Sequence, residues 1–517
     1  MARTVVLNIP LYGHVNPTLA VVRELVARGE EIIYYSSDTF KDRIQQTGAV
    51  YRSYDTLFVD PALQANPTDF SLLVIKECLH VLPQVLDEVR ASQPDYILYD
   101  SLCVTGRFLA QILNLPAIMF CSTHAGGIFM MVRKTYDPLP APTVIAHNAF
   151  GAASGEQPKD VLMMHAPSPN LVPPIGEGPP KDVLMMHAPS PNLVPPMGEG
   201  PPKDVLMMHA PSPNLVPPMG EGPPKDVLMM HAPSPNLVPP MQIQQMPAGI
   251  VPVLADAALP PPSGKYVSGE QITEIQAAIH GALAELSTTY GLPPIEPSSI
   301  YDHAEKLNIV FLPRAFQARS ETFDERFVFV GPSIVPQPET LSPLMRAPGR
   351  PTLYISLGTL FNAWPEFFAS CIEAFGNSEW QVLMAIGERV DPASLGVLPD
   401  NISVAPYVPQ LAVLANTDVF ITHGGMNSTM EALSYGVPLV VIPQMAEQAI
   451  TAKRVAEMGL GLTLDKYTMT VEMLRDAAAR VLNEASFREQ AAQMQAAIRE
   501  AGGYKCAADT IMQFITA

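Results

Sequence analysis

The stretch from Phe420 to Gln448 reads FITHGGMNSTMEALSYGVPLVVIPQMAEQ and sets out a strand, a glycine loop, a helix and a second strand. The runs on either side, VFIT and PLVVIP, are short, apolar and β-branched, as buried strands are. Between them, NSTMEALS opens and continues a helix. Strand, helix and strand in this order are typical of a parallel sheet covered by helices.

The same alternation extends through both halves of the chain. In the N-terminal half, TVVLNIP, EIIYYSS, YILYD and AIMFCS have the composition of strands, and TLAVVRELVARG and LAQILNL are amphipathic. In the C-terminal half, TLYISLG, WQVLMAIG and ISVAPYV repeat the strand pattern around the helix FFASCIEAFG. We therefore predict an α/β protein with two doubly wound units. Residues 336–350, PQPETLSPLMRAPGR, are proline-rich and aperiodic, which predicts the linker.

Four near-copies of the 22-residue unit PKDVLMMHAPSPNLVPPMGEGP occupy residues 158–241. Prolines remove backbone donors and disfavour helix in the preceding residue, so we expect a semi-extended, partly disordered insertion. Its equivalent histidines allow a metal array, but duplication of a tolerated surface loop is the favoured interpretation. A lid, a partner-docking strap and an inert loop all remain open as roles. The four histidines are His165, His187, His209 and His231.

Composition excludes several classes of protein. The formal charge is −19, from 31 basic and 50 acidic side chains, and this disfavours nucleic acids and anionic membranes as partners. Five scattered cysteines without a CxxC pair argue against a disulfide framework or a structural zinc. The first residues lack a secretory signal, and no run of about 18 apolar residues predicts a transmembrane helix. We expect a cytoplasmic protein.

The glycine loop after the strand VFIT has the features of an anion site. Glycines let a ligand approach the backbone, and the free amides and positive dipole of a helix start favour phosphate. His423 adds a donor, and Glu431 is positioned to accept hydrogen bonds from a ribose diol. The alternative is a tight turn whose helix is capped by Ser428 or Thr429. Because further polar residues follow at the end of the stretch, the anion site is the favoured interpretation.

The segment 407–448, YVPQLAVLANTDVFITHGGMNSTMEALSYGVPLVVIPQMAEQ, resembles the donor-binding signature of UDP-sugar-dependent glycosyltransferases. It is most similar to the bacterial macrolide glycosyltransferase group of glycosyltransferase family 1, which includes enzymes acting on flavonoids. The resemblance continues in IPLYGHVNPTLA, FDERFVFVGPSI, LYISLGTLFNAWPEFF and AGGYKCAADTI, and it covers nearly everything outside about residues 140–265. It implies the GT-B fold, in which two Rossmann-like domains face each other across a cleft, and inversion of the anomeric carbon without a metal or other cofactor.

In domain terms, the resemblance implies that residues 1–335, including the repeats, form the acceptor-binding domain. Residues 351–502 would bind the UDP-sugar, and residues 503–517 would form a C-terminal helix that packs back toward the first domain. The acceptor pocket of this family lies largely in the N-terminal domain. His124, Phe129 and Met130 are candidates to line it, and ordinary packing is an equal alternative.

The resemblance also implies individual roles in the donor site. The diphosphate would be held by His423, Gly425, Asn427 and Ser428, with a hydroxyl from Thr359. Glu431 would bind ribose, and Glu447 and Gln448 would bind the sugar hydroxyls. The uracil would meet the backbone of Val408, the ring of Tyr407 and, near the nucleoside, Gln410. Many relatives have Trp where this chain has Tyr407, and a phenol ring stacks over less area.

His14 follows the first strand, before a helix predicted to begin near Pro17, at a strand end that faces the ligand crevice in open parallel sheets. A neutral imidazole there is suited to remove the proton of a hydroxyl acceptor. The family assigns Asp100, at the end of YILYD, to orient that base and stabilise its charged form. The alternative for each residue alone is structural: a hydrogen-bond donor for His14 and a cap for Asp100.

Together these features predict an inverting hexosyltransferase that moves glucose, or a related hexose, from UDP to a hydroxyl of an apolar natural product such as a macrolide, polyketide or flavonoid. Gln448 fits a glucosyl donor by analogy with the family. Antibiotic biosynthesis, resistance and detoxification all remain open. The rivals are a nucleotide-sugar epimerase, which needs no external acceptor, and a scaffold or binding protein with a vestigial transferase body. An NAD oxidoreductase is disfavoured because no GxGxxG follows either first strand.

Overall fold

The chain divides into two compact units, one made of Met1–Thr135 with Met246–Ala517 and the other of Tyr136–Gln245. A computed structural model provides the coordinates, in which the described residues are 2–58, 67–125, 161–163, 183–185, 269–335, 349–359 and 362–517.

The strands, in chain order, are β1 (Arg3–Leu7), β2 (Glu31–Ser36), β3 (Val50–Ser53), β4 (Tyr96–Asp100), β5 (Ala117–Cys121), β6 (Val161–Met163), β7 (Val183–Met185), β8 (Asn308–Val310), β9 (Phe327–Phe329), β10 (Thr352–Ser356), β11 (Gln381–Ala385), β12 (Ile402–Ala405), β13 (Val419–Thr422), β14 (Leu439–Val441) and β15 (Gly461–Thr463).

The α-helices are α1 (Tyr12–Ala27), α2 (Lys41–Gln45), α3 (Pro67–Ser92), α4 (Val104–Leu113), α5 (Gly269–Tyr290), α6 (Ser299–Asp302), α7 (Pro365–Phe375), α8 (Gln410–Leu414), α9 (Met426–Ser434), α10 (Ala446–Glu457), α11 (Val471–Asn483), α12 (Ala485–Ala501) and α13 (Gly503–Thr516). In the parts of the chain that the structure describes, no helix is both long and apolar enough to span a membrane.

The first unit contains two parallel sheets. The N-terminal sheet has the strand order β3-β2-β1-β4-β5-β8-β9, and the C-terminal sheet has the order β12-β11-β10-β13-β14-β15. The central strands β4, β10 and β13 are buried along their whole length. Burial on both faces explains why these strands are continuous apolar runs and not alternating patterns. The predicted α/β fold with two parallel sheets is confirmed.

The last helix of the chain packs against the first. Ala507, Ala508 and Ile511 of α13 are fully buried in an apolar cluster that includes Val22 of α1. The turn into α13 is held by a hydrogen bond from Gly503 N to Val330 O of 2.6 Å. The C-terminal end of the chain is therefore part of the N-terminal domain's core.

In the second unit, β6 and β7 form a two-stranded parallel ladder. The paired triplets are the same three residues, Val-Leu-Met, from the first and second repeats, with Val161 opposite Val183. Extended backbone here agrees with the expected absence of helix in these two triplets. The remaining residues of the repeats, and residues 336–348 of the predicted linker, lie outside the described residues.

One helix begins earlier than the sequence pattern predicts. We expected the first helix to start near Pro17, but α1 starts at Tyr12 and contains Pro17. Proline has no backbone N–H, so the carbonyl of Gly13, four residues earlier, receives no hydrogen bond from it. His14 therefore lies in the first turn of a helix and not in a loop, beside a carbonyl to which Pro17 cannot donate a hydrogen bond.

Candidate active site

His14 and Asp100 meet at the carboxyl edge of the N-terminal sheet. Asp100 is the last residue of β4, and His14 is in the helix that follows the neighbouring strand β1. Both side chains are buried, and His14 Nδ1 lies 2.9 Å from Asp100 Oδ1, although the residues are 86 positions apart. An ionised carboxylate only accepts hydrogen bonds, so Nδ1 carries the proton and Nε2 is the basic nitrogen. The fold thus holds an oriented imidazole base.

Asp100 is held by two further donors. Its Oδ1 accepts a hydrogen bond from Leu102 N at 2.9 Å, and its Oδ2 accepts one from Ser122 Oγ at 2.7 Å. Donors on both oxygens fix the plane of the carboxyl group. Sequence reasoning missed Ser122, which directly follows β5, because only the structure shows that β5 lies beside β4.

A buried network of hydrogen bonds stabilises the first turn of α1. Asn8 Nδ2 donates to His14 O at 3.3 Å and lies 3.0 Å from Thr18 Oγ1. Thr18 Oγ1 donates to Val15 O at 2.8 Å and also contacts the hydroxyl of Tyr34. Because buried polar groups are costly to leave unpaired, this network resists rotation of the turn that carries His14.

Opposing influences act on the pKa of His14. Burial lowers it, because an imidazolium is poorly solvated inside the protein. The charge of Asp100, its hydrogen bond and the charge of Glu447 act in the opposite direction, and the pKa of His14 is raised from its ordinary value of 6.5. This base is therefore stronger than a free imidazole.

His423 directly follows β13, at the carboxyl edge of the C-terminal sheet. Its ring is packed between two glycines: a Cβ built on Gly358 would lie 2.6 Å from His423 Cε1, and one built on Gly425 would also collide with the ring. Gly358 also has φ +75°, so a side chain there is disfavoured both by the backbone conformation and by the collision with His423. Burial lowers the pKa of His423 to about 4, against a weaker opposing backbone hydrogen bond with Ser356. At neutral pH His423 is an uncharged donor.

The helix that follows, α9, begins without a side-chain cap. Its N-cap is Gly425, and within the described parts of the chain no side-chain cap hydrogen bond is present at this end. Ser428 and Thr429 therefore do not cap the helix, which was the alternative to an anion site. The uncapped amides and the helix dipole leave this end suited to a phosphate.

Gln410 links three side chains beside that helix start. Its Nε2 donates to Glu431 Oε2 at 2.6 Å and to Ser428 Oγ at 3.2 Å, and its Oε1 accepts from the Tyr354 hydroxyl at 3.0 Å. Burial raises the pKa of Glu431 to about 6, and the hydrogen bond from Gln410 opposes the shift. Above that pH Glu431 is mainly ionised, which strengthens the hydrogen bonds that it can accept from a diol.

Two of the predicted residues, Glu447 and Gln448, lie at the start of α10. Gln448 is buried and accepts a hydrogen bond from Gln444 N at 2.7 Å, which fixes its side chain. Burial raises the pKa of Glu447, the charge of His14 lowers it and that of Asp100 raises it further. The carboxylate of Glu447 is thus within electrostatic range of the base and its partner.

A hydrogen bond joins the two halves of the site directly. Asn427 Nδ2, in the first turn of α9, donates to Gly13 O at 3.1 Å across 414 positions of sequence. Gly13 O is the carbonyl that Pro17 leaves without a helical donor. The base and the uncapped helix start are therefore held against each other.

The remaining predicted residues lie at the margins of this arrangement. Thr359 follows Gly358, is exposed, and its carbonyl accepts a hydrogen bond from Arg389. Tyr407 is 73% exposed, whereas its neighbour Val408 is buried. His124 is buried and stacks on Phe316 with ring centroids 5.9 Å apart.

Phe129 and Met130, predicted with His124 to line the acceptor pocket, lie outside the described residues. Among the described residues, no group of three or more His, Cys, Asp or Glu side chains is placed to hold a metal ion.

The sequence and the fold are similar to those of known glycosyltransferases. Residues 369–501 match the family described as erythromycin biosynthesis protein CIII-like, C-terminal domain. The NDP-glycosyltransferase YjiC of Bacillus subtilis is 33% identical over 515 residues, covering 98% of this chain and 96% of the relative. The oleandomycin glycosyltransferase of Streptomyces antibioticus is 23% identical, covering 99% of this chain and 90% of that protein. The crystal structure of the calicheamicin glycosyltransferase CalG4 matches with TM-score 0.66 and 26% identity, covering 100% of this chain and 98% of that one.

Proposed function

The chain belongs to the bacterial macrolide-type glycosyltransferases of family 1, which have the GT-B fold, and from this premise we propose that it transfers glucose or a related hexose from a UDP-sugar, with inversion, to a hydroxyl of an apolar natural product. One observation carries the proposal: His14 is hydrogen-bonded to Asp100, and the carbonyl of its chain neighbour Gly13 accepts a hydrogen bond from Asn427 at the uncapped start of α9. A base and an anion site held together are what displacement of a nucleoside diphosphate by a hydroxyl requires.

In the proposed step, Nε2 of His14 takes the proton of the acceptor hydroxyl as its oxygen attacks the anomeric carbon. The new bond forms on the face opposite the departing phosphate, so one displacement inverts that carbon. Asp100 stabilises the imidazolium that results. The raised pKa of His14 supports this role, since it makes the imidazole a better proton acceptor.

The negative charge that develops on the UDP leaving group would be met by the amides of α9 and by the neutral imidazole of His423. Gly425, Asn427, Ser428 and Thr359 would complete the diphosphate site. We propose that these groups serve in place of a metal ion. A chelator such as EDTA should then leave the transfer rate unchanged.

The other donor contacts follow the arrangement of the C-terminal half. Glu431, held by Gln410, would accept hydrogen bonds from the ribose diol, and the exposed ring of Tyr407 beside Val408 would stack on the uracil. Glu447 and Gln448 would bind the sugar hydroxyls, which puts the anomeric carbon next to the base. Relatives named for oleandomycin and calicheamicin support a natural-product acceptor.

The test is UDP release from UDP-glucose with a panel of macrolide, polyketide and flavonoid alcohols, with the anomeric configuration of the product read by NMR. We expect acceptor-dependent release, a β-linked product, and loss of release in His14→Ala. His303→Ala is the matched control, because His303 Nε2 also contacts a carboxylate, Glu305 Oε1, at 2.8 Å but lies outside the proposed site.

Acceptor-dependent release that persists in His14→Ala would contradict the proposed base. Release with retention at the anomeric carbon would contradict the single displacement. If UDP-glucose does not bind even at millimolar concentration, the donor site itself is wrong.

A further inference from the structure

Arg454 joins helix α10 to the N-terminal half of the molecule. Its Nε donates to Phe316 O and its Nη2 to Ala315 O, both at 2.8 Å, across about 138 positions of sequence. Its third nitrogen, Nη1, lies 3.5 Å from Glu457 on the same helix. A planar guanidinium that donates to two successive carbonyls fixes both direction and distance, which a single-point contact does not.

Arg454 lies on the helix face that begins with Glu447. The two residues are seven positions apart, close to two turns and roughly 10 Å along the axis. Residues at this spacing lie on one face of a helix. That face is turned toward the N-terminal half at both ends, since Glu447 is within electrostatic range of His14 and Asp100.

The loop that receives Arg454 also holds the segment after β5. Gln317, buried and next to Phe316, accepts a hydrogen bond from Ala125 N at 2.9 Å and donates to Ala125 O at 3.5 Å. The ring of Phe316 stacks on His124 with an interplanar angle of 10°. Ser122, which holds Asp100, is three residues before Ala125. The loop 315–317 therefore contacts the sugar-site helix on one side and the segment that leads from the base to the predicted acceptor residues on the other.

We propose that Arg454 is a positioning residue that couples the sugar end of the donor site to the acceptor side through the loop 315–317. This inference rests on the proposed function and names a residue that neither the donor signature nor the base pair includes. Loss of the two hydrogen bonds would let α10 and the segment 122–125 move independently. The sugar would still bind, but its anomeric carbon would no longer be held in line with the acceptor oxygen.

The chain offers a matched control. Arg475, on α11, makes the same kind of contact within the C-terminal half, donating from Nε to Ala374 O at 3.0 Å and from Nη2 to Glu373 O at 3.4 Å. Arg475→Gln removes an equivalent pair of hydrogen bonds without touching the N-terminal half. Arg454→Lys keeps the charge but loses the two-point geometry.

With the full chain and UDP-glucose, Arg454→Gln should lower kcat for transfer roughly tenfold, as expected for charged hydrogen bonds, and raise the acceptor KM. It should increase the share of UDP-glucose that is hydrolysed without transfer, while UDP affinity by calorimetry stays within about twofold of the wild type. The values for Arg454→Lys should fall between those of the wild type and those of Arg454→Gln. Arg475→Gln should change neither the acceptor KM nor the ratio of hydrolysis to transfer. Equal effects of Arg454→Gln and Arg475→Gln on that ratio would overturn the proposal.

A second measurement needs no ligand and separates this inference from the proposed function. Hydrogen exchange of the Ala125 amide should be faster in Arg454→Gln than in wild type, because Gln317 would hold it less firmly, and unchanged in Arg475→Gln. Unchanged exchange in Arg454→Gln would disprove the coupling, whatever the activity. Inactive wild-type protein with the expected exchange pattern would instead count against the proposed reaction alone.

Discussion

At the scale of single residues, the proton affinity of His14 is set by groups that are far apart in sequence. Burial alone would lower its pKa, and a neutral imidazole with a low pKa is a weak base. The carboxylates of Asp100 and Glu447 reverse that effect. One carboxylate is hydrogen-bonded to the ring, and the other comes from α10 in the C-terminal half.

This gives a prediction about pH. The base works only when neutral, so kcat/KM should fall as the pH drops through the pKa of His14, and the midpoint of that acid limb should lie above 6.5. Removing a negative charge lowers the pKa, so Glu447→Gln should move the limb to lower pH, and Asp100→Asn should do so with a larger loss of rate. The pH dependence of kcat/KM checks it.

The exposed Glu321→Gln serves as the control for that experiment, since its loss should not move the limb. A limb that keeps its position in both Glu447→Gln and Asp100→Asn would show that His14 is not the titrating base.

At the scale of secondary-structure elements, α1 lacks one of its internal backbone hydrogen bonds because it contains Pro17. Pro17 has no N–H to donate to Gly13 O, so that carbonyl lacks its usual partner within the helix. Asn427 uses the exposed oxygen to bring α9 against α1. The carbonyl that has no donor within α1 is thus the one through which α9 is hydrogen-bonded to it.

Pro17→Ala should therefore give Gly13 O a donor within α1, which would compete with Asn427 and weaken its hydrogen bond. Proline in a helix interior costs about 3 kcal/mol relative to alanine, so the variant should fold at least as stably as wild type. The rate of transfer should nevertheless fall several-fold, since a net hydrogen bond contributes about 0.5–1.5 kcal/mol. Thermal unfolding and kcat, measured together, check this.

Pro83→Ala is the matched control for that substitution, because Pro83 is also inside a helix, α3, at an exposed position. It should change stability without changing kcat. If Pro17→Ala and Asn427→Ala have fully additive effects on kcat, the two residues do not act through Gly13 O.

At the scale of the whole molecule, the last helix of the chain packs against the first. After the C-terminal sheet is complete, α13 returns to pack on α1, and its apolar face becomes part of the N-terminal core. Arg28, the residue that follows α1, also forms an ion pair with Asp509 of α13. The apolar contact is buried and the ion pair is partly exposed, so the two should contribute very differently to stability.

Ile511→Ala should lower the free energy of unfolding by about 2–5 kcal/mol, because Ile511 is fully buried and its loss leaves a cavity. Asp509→Asn should cost at most about 1 kcal/mol, as for other exposed ion pairs. Denaturant unfolding of the two variants measures both values. A loss below about 1 kcal/mol for Ile511→Ala would mean that α13 is dispensable to the N-terminal core.

The sequence by itself determined the two parallel sheets and the glycine loop before α9. Apolar periodicity and glycine placement are properties of neighbouring residues, so a short segment of sequence is enough to predict each of these strands and the glycine loop. An anion site at the start of α9 was the favoured interpretation, but capping by Ser428 or Thr429 remained open until the structure decided it. The start of α1 was not predictable, because Pro17 signals a helix beginning while the preceding turn is stabilised by the buried network around Asn8.

Only the tertiary structure decided which side chains meet. Ser122 reaches Asp100 because β5 lies beside β4, Asn427 reaches Gly13 across 414 positions, and Arg454 reaches the loop 315–317 from the other sheet. None of these contacts leaves a local trace, because each depends on strand order and on how two domains built from distant segments pack. The physical reason is that hydrogen bonds are short and directional, so they record the final arrangement of the backbone and not the pattern of residues along it.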